Sequence, residues 1–226
     1  MKVWPDSRLY VVTREDDATL GILSSRIHEV WSLATASMHG VGNDPTYNAK
    51  SCFEPFPFPH GLSPRVTAHQ RTETLADGAV IPAFSSPSPV ARERVPDRAG
   101  EGVRDHAIAI ARAAKRVNDL REAWLNPPEW TERVPEVTPL GMDASPYPDR
   151  ILPKASLKAD DLKALGKRTL THLYNERPSW LANAHAALDV AVAVAYGWTD
   201  FSAATTDDGI LARLLALNLV RTKALV

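Results

Sequence analysis

The residues best suited to chemistry are Asn126 to Trp130, which read NPPEW. An asparagine followed by two prolines and an aromatic residue can hold the exocyclic amine of a flipped nucleobase, while the aromatic ring stacks on that base. Here the fourth residue is Glu129, which has no stacking face, and Trp130 comes one position too late. The catalytic form of this Asn-Pro-Pro-aromatic motif follows a buried strand. Here the preceding LREAWL instead ends a charged amphipathic helix. The sequence therefore predicts the end of a helix here, and no catalytic residue.

No other group of residues predicts catalysis, a cofactor or a metal. GVGND at 40–44 is the only glycine-rich candidate for a nucleotide cofactor, but it follows a helix and lacks an acidic residue after a second strand. The seven histidines do not show the i, i+4 or Cys-x-x-Cys spacing of metal sites. Cys52 has no evident base partner and is expected to pack in the interior.

Contact with nucleic acid is the remaining chemistry, and a polar loop is the first candidate. The loop MHGVGNDPTYNAK contains Asn43, Asp44, Tyr47, Asn48 and Lys50, which could face a duplex. Amide side chains suit paired hydrogen bonds to adenine, and lysine suits phosphate. Alternatively, Asn43 and Asp44 could satisfy their own backbone in an Asx turn.

The second candidate is a basic stretch between Arg150 and Arg177, where seven basic residues outnumber three acidic ones. Within it, Lys163, Lys167 and Arg168 are expected to bind DNA by following the phosphate backbone. A solvated helix face accounts for the same excess of positive charge, so both interpretations stay open.

The polar loop needs neighbouring elements to hold it in place. RLYVVT, at 8–13, predicts a strand. Asp16 and Asp17 can cap a helix that continues to about His39 and buries apolar residues at three- and four-residue spacing. Residues 47–53 are expected to be extended. The Phe/Pro run at 53–59 predicts an extended strap that presses its phenylalanines onto the core, since proline cannot donate a ladder hydrogen bond.

The rest of the chain predicts a linker and then helices. Residues 61–102 are rich in Ser, Pro, Arg and Thr and predict a linker or insertion. Helices are expected at 104–125, from Lys158 towards Tyr174, after Pro178 and after Asp207-Asp208, with irregular chain at 131–153 and a left-handed stop at Gly197. The predicted fold is mainly α with a small β portion (α+β), divided into 1–60, 61–102 and 103–226.

Composition restricts the class of protein but does not by itself indicate DNA binding. The chain has 226 residues, net charge −1 and pI near 6.7, so it lacks the overall basic balance of many nucleic-acid binders. A single cysteine favours a reducing compartment, and no apolar run suggests a membrane span. The N-terminus does not resemble a signal peptide. We expect a cytoplasmic protein with no membrane partner.

Two stretches carry a resemblance to a known family. LGILSSRIHEVWSLATASMHGVGNDPTYNAKSCFEPFPFP, at 20–59, resembles the end of the target-recognition region in MmeI-like (type IIL/IIG) adenine-specific DNA methyltransferases of bacterial restriction-modification. LREAWLNPPEW, from Leu120, and KRTLTHLYNERPSWLANAHAALDVAVAVAYGW, from Lys167, resemble the C-terminal end of the same family. The resemblance covers roughly 8–60 and 103–222. It implies the helix-loop-strap remnant of a recognition domain, followed by a C-terminal helical bundle.

The resemblance also implies a function. The chain would be a DNA-binding C-terminal fragment or split subunit of a site-specific adenine N6 DNA methyltransferase, serving restriction-modification or phage defence. The catalytic core, which binds S-adenosylmethionine in the full-length family, would lie upstream, so the chain alone is expected to be inactive. Its partners would be double-stranded DNA and a separately encoded methyltransferase subunit. The alternative is a non-enzymatic helical protein-interaction module.

Overall fold

The computed structural model describes residues 10–39, 44–67, 71–84 and 98–223. In these ranges the protein is mainly α-helical with a small β portion, as the sequence predicted, and the β portion consists of three two-stranded antiparallel sheets. The helices are α1 (Asp17–Ser24), α2 (Arg26–Thr35), α3 (Pro64–Thr67), α4 (Arg98–Leu125), α5 (Ala159–Gly166), α6 (Leu170–Glu176), α7 (Ser179–Ala195) and α8 (Asp207–Lys223). The sheets pair β1 (Ser37–His39) with β2 (Asp44–Thr46), β3 (Thr72–Thr74) with β4 (Val80–Pro82), and β5 (Thr131–Val134) with β6 (Arg150–Pro153).

The chain divides into two compact units. The first unit comprises residues 1–115 and 184–226, and the second unit comprises residues 116–183. The predicted domain boundaries after residues 60 and 102 lie at other positions and stay a prediction.

Two predictions about the start of the chain were wrong. Residues 10–13 are not a strand: the N–H of Arg14 donates to the carbonyl of Val12 at 2.8 Å, which turns the chain before any ladder can form. The helix after Asp16 is not continuous either. Asp16 caps α1 as expected, but Ser25 leaves the helical conformation (φ −78°, ψ 153°) and its hydroxyl accepts the N–H of His28, so a second helix begins.

The core of the first unit depends on a close approach between α1 and neighbouring helices. Gly21 lies where a Cβ atom would stand 2.7 Å from Cγ2 of Ile110 and 3.0 Å from Cβ of Ala114. Leu188 lies 3.2 Å from the same Cβ position. The core also contains side chains with no measurable exposure, among them Ile22, Ile27, Ile110, Leu188, Val192, Ile210 and Leu214. Glycine is therefore required at position 21 for packing, although it is a poor helix former.

Part of the expected linker is ordered and packed. Within 61–102, strands β3 and β4 form a hairpin whose turn uses Gly78 at φ 80°. Ala79 and Ile81 are fully buried, and the N–H of Val80 donates to Oδ2 of Asp17 at 2.8 Å. The linker interpretation is thus wrong for these residues, because the apolar side chains of β4 belong to the core. The SSPSP run at 85–89, on which the interpretation was based, lies outside the described residues.

The second unit also has more structure than the sequence predicted. The stretch expected to be irregular begins and ends in the paired strands β5 and β6, with Thr131 opposite Pro153 and Val134 opposite Arg150. The single helix expected from Lys158 is two helices, α5 and α6, because Thr169 is extended (φ −114°, ψ 156°) and its hydroxyl accepts the N–H of His172. The predicted helix ends at Leu125 and at Gly197 (φ 77°) are confirmed.

The packing at Gly21 gives a direct test. Gly21→Ala should lower the free energy of unfolding by about 1 kcal/mol, because overpacking outweighs the gain in helix propensity. The matched control is Gly102→Ala in α4, where a Cβ would meet no atom within 4 Å; it should raise stability by about 1 kcal/mol. Urea unfolding of both variants measures the difference, and equal effects would contradict the packing argument.

Candidate nucleic-acid interface

The polar loop belongs to the first unit, and the structure shows different environments for its predicted DNA-contacting residues. Asn43 lies outside the described residues. Asp44 is exposed at the start of β2, opposite His39, and Lys50 is exposed within a single π-helical turn formed by Ala49–Phe53. That turn replaces the extended segment predicted for 47–53, because Oδ1 of Asn48 accepts the N–H of Lys50 at 2.9 Å and caps it. Asn48 is thus partly committed to its own backbone.

Tyr47 is held in place by a buried histidine. Its hydroxyl lies 3.1 Å from Nε2 of His28, and its ring lies against the rings of His28 and Tyr10, with centroids 5.8 and 6.0 Å away. Burial, assisted by the nearby thiol of Cys52, raises the pKa of Tyr47 to about 12. Tyr47 is therefore a neutral phenol at physiological pH, and its position depends on α2.

His28 is buried and neutral. Desolvation by burial lowers its pKa to about 4. Its ring meets the ring of Phe56 edge-on at 4.5 Å, and its Nδ1 atom is buried with no hydrogen-bond partner among the described residues. A charged imidazole in this position would lose its hydration without gaining a counter-ion, which explains the direction of the shift.

The same helix anchors the Phe/Pro strap. Nε1 of Trp31 donates to the carbonyl of Cys52 at 3.0 Å, and the ring of Phe56 lies 6.1 Å from that of Trp31 and 4.9 Å from that of Phe58. Phe56, Phe58 and Cys52 are buried, which confirms the expected packing of these two phenylalanines and of the cysteine, whereas Phe53 is half-buried and belongs to the π-helical turn. We call His28, Trp31, Tyr47, Phe56 and Phe58 the aromatic cluster.

The burial of His28 predicts how stability changes with pH. In the unfolded chain His28 has the ordinary histidine pKa of 6.5, and in the folded protein its pKa is about 4. Between these values the unfolded state binds the additional proton, so the free energy of unfolding should fall as the pH falls from 6.5 to 4, by about 3 kcal/mol in total. Urea unfolding across this range measures the effect.

The matched variants separate His28 from other titrating groups. His28→Gln should remove most of that pH dependence, whereas His60→Gln, which changes an exposed imidazole, should retain it. A His28→Gln protein with the full pH dependence would show that another group causes it.

The basic candidate belongs to the second unit. Lys163 lies on α5 and Lys167 directly after it; both are exposed, and neither forms an ion pair within the described ranges. Their position at the end of α5 complements the helix dipole, and Asp160 and Asp161 do so at its start. These two lysines are available to phosphate.

Arg168 has other contacts. Its guanidinium carbon lies 5.5 Å from the ring centroid of Trp124 and 4.5 Å from that of Trp130, and Nη1 donates to the carbonyl of Trp124 at 2.8 Å. These contacts explain Arg168 without DNA, so Lys163 and Lys167 are the better candidates for phosphate contact. Sequence reasoning missed the role of both tryptophans, since nothing in the local pattern links them to a residue about 40 positions away.

The NPPEW residues make structural contacts within the second unit. Nδ2 of Asn126 donates to Oε1 of Glu122 at 3.1 Å, which closes the end of α4, and Trp130 contacts Arg168. A cleft of about 640 Å³ lies beside them. Its charged lining comprises Asp119, Glu122, Glu132 and Arg133. This predominantly acidic lining does not suit a phosphate group.

The Arg168 contacts predict a stability effect. Arg168→Ala should lower the free energy of unfolding by about 1–2 kcal/mol, because two cation–π contacts and a hydrogen bond are lost together. Lys167→Ala removes an adjacent exposed cation and should cost less than about 0.5 kcal/mol. Arg168→Lys should restore little, since an ammonium does not reproduce the planar contact. Urea unfolding compares the three, and equal losses in the two alanine variants would contradict the assignment.

Two features are absent from the residues that the structure describes, a metal-binding group of side chains and a membrane-spanning helix. No group of three or more His, Cys, Asp or Glu side chains is arranged to hold a metal ion there. None of the described helices combines the length and the apolar character needed to cross a membrane.

Comparison with known proteins leaves the family open. No family model and no curated protein matches the chain. One solved structure to which it is similar is the type IIL restriction-modification enzyme MmeI in complex with DNA, with 18% sequence identity and a TM-score of 0.47. The match covers 92% of this chain and 17% of that one, so the chain spans about a sixth of the length of that enzyme. A likeness this distant assigns no function to the chain.

Proposed function

We propose that this chain is a DNA-binding C-terminal part, or split subunit, of a site-specific adenine N6 DNA methyltransferase of restriction-modification or phage defence, without the catalytic core. The observation that carries the proposal is the aromatic cluster. Its members come from three parts of the stretch 20–59 that carries the resemblance, HEVW at 28–31, VGNDPTYN at 41–48 and FPFP at 56–59, yet they pack against one another. That packing holds Tyr47 within a polar loop whose Asp44 and Lys50 are exposed.

The proposed DNA contacts divide by chemistry. In the loop, Asn43, Asp44, Tyr47 and Asn48 offer groups that accept or donate hydrogen bonds at base edges, and Lys50 offers a charge to phosphate. In the second unit, Lys163 and Lys167 offer two further charges, with Arg168 next to them.

The expected affinity of the chain for DNA is low, and catalysis requires another subunit. A few cations on a chain of net charge −1 should bind DNA weakly, without sequence preference, and with strong dependence on salt. Methyl transfer and S-adenosylmethionine binding would come from a separately encoded methyltransferase subunit in the cytoplasm.

The salt dependence of binding tests the proposal. Each phosphate contact that is lost should reduce the slope of log K against log salt by about 0.9, so Lys163→Ala/Lys167→Ala should reduce it by about 2. Titration of a fluorescent duplex at several salt concentrations measures the slope. The matched control is Arg65→Ala/Arg71→Ala, which removes two exposed cations of the first unit and should leave the slope nearly unchanged.

Two other results of this titration would contradict part or all of the proposal. An equal reduction in both double variants would mean that net charge alone governs binding. Failure of the unaltered chain to bind duplex DNA at low salt would contradict the proposed function.

One observation favours the alternative of a protein-interaction module. Helix α8 exposes Leu215, Leu219 and Val220 while burying Ile210 and Leu214, so it is apolar on more than one face. Exposed apolar side chains that lie together on a protein surface mark sites of interaction with other proteins. This surface is compatible with a split enzyme as well, so the DNA titration decides between the two.

A further inference from the structure

Helices α5 and α6 follow one another in the order helix, turn, helix within the second unit. Helix α5 has eight residues, Lys167–Thr169 make a three-residue turn, and α6 has seven residues. Thr169 caps α6 through its hydroxyl, and the N–H of Arg168 donates back to the carbonyl of Leu165 at 2.9 Å. The direction of α6 is therefore fixed by hydrogen bonds at its start.

The burial pattern of α6 identifies its outward face. Leu173 is completely buried. At about 100° per residue, the positions opposite Leu173 are 171 and 175. Thr171 and Asn175 are both exposed. The outermost groups of α6 are thus a hydroxyl and an amide one helical turn apart.

The flanks of α6 leave this face uncharged. On one side Glu176 lies 3.3 Å from Nε2 of His172, so its carboxylate is engaged within the helix. On the other side are Leu170 and Tyr174, and the guanidinium of Arg121 lies 5.9 Å from the Tyr174 ring. A carboxylate at position 171 or 175 would repel phosphate, and neither position carries one.

Cations lie at both ends of the segment. Lys163 and Lys167 precede α6, and Arg177 follows it in the left-handed conformation at φ 42°. All three are exposed. The acidic residues of α5, Asp160 and Asp161, belong to its first turn and so lie at the start of that helix, away from the α5–α6 turn. An uncharged hydrogen-bonding face with a cation at each end is complementary to a DNA groove between two phosphate backbones.

We propose that α6 enters the major groove of double-stranded DNA, with Asn175 and Thr171 facing base edges and Lys163, Lys167 and Arg177 facing the flanking phosphates. The major groove, about 12 Å wide, admits an α-helix, and an asparagine amide can pair with N6 and N7 of adenine. The second helix of a helix-turn-helix is the element that usually takes this position. The inference rests on the proposed function and adds the element that approaches the bases.

The composition of the face favours DNA over a protein partner. The centre of a protein–protein interface is enriched in aromatic and other large apolar side chains. Here the centre is Thr171 and Asn175, and the apolar residues Leu170 and Tyr174 lie to one side.

The test is a thiol cross-link that reports proximity to one groove. Asn175→Cys is mixed at low salt with duplexes that carry a disulfide-capped thiol tether either on cytosine N4, in the major groove, or on guanine N2, in the minor groove. The matched control is Leu140→Cys, a fully exposed position of the same unit. The unaltered chain gives the background, because its single cysteine, Cys52, is fully buried. Circular dichroism confirms that each variant is folded.

We expect Asn175→Cys to cross-link to the major-groove tether several-fold more than to the minor-groove tether and several-fold more than Leu140→Cys. Adding Lys163→Ala/Lys167→Ala should reduce the yield to that of the control. A yield at Asn175→Cys equal to that of Leu140→Cys, on DNA that the chain binds with the expected salt slope, would overturn the inference and leave the proposed function standing. Absence of duplex binding by the unaltered chain would overturn both.

Discussion

The loop and the strap of the first unit depend on one partly buried polar contact, between His28 and Tyr47. An imidazole without charge and a phenol without charge meet at 3.1 Å, enclosed by Phe56 and other rings of the aromatic cluster. The contact joins a helix to a loop 19 residues later, and the strap closes over it. Because interior polar groups are costly without partners, this hydrogen bond specifies one arrangement of helix, loop and strap. The positions of the exposed loop residues depend on this hydrogen bond.

Helix ends with a strong local sequence signal were predicted correctly. Elements whose signal depends on the surrounding chain were not. The ends of α4 before two prolines and of α7 at Gly197 follow from backbone geometry. The breaks at Ser25 and Thr169 were missed because a serine or threonine in a periodic stretch can lie in a helix or cap the next one. The Asp77-Gly78 dipeptide was a turn signal for the hairpin of β3 and β4, but the proline-rich sequence after it dominated the interpretation.

The basic residues of the second unit show why a structure is needed to choose among candidate DNA-binding residues. Three neighbouring cations, Lys163, Lys167 and Arg168, have the same appearance in the sequence. In the fold two of them are exposed and one lies against two tryptophans, where it stabilises the unit. Sequence spacing cannot predict this difference, since it arises between residues brought together by the turn after α4 and the turn between α5 and α6.

The hairpin of β3 and β4 couples two parts of the chain that are distant in sequence. Its backbone N–H at Val80 satisfies the carboxylate of Asp17 in the first turn of α1, and Ile81 fills part of the interior. A chain without residues 71–84 would lose this hydrogen bond to Asp17 and an apolar side chain from the interior. The hairpin and α1 are therefore energetically coupled, so that a substitution in one constrains which substitutions the other can tolerate.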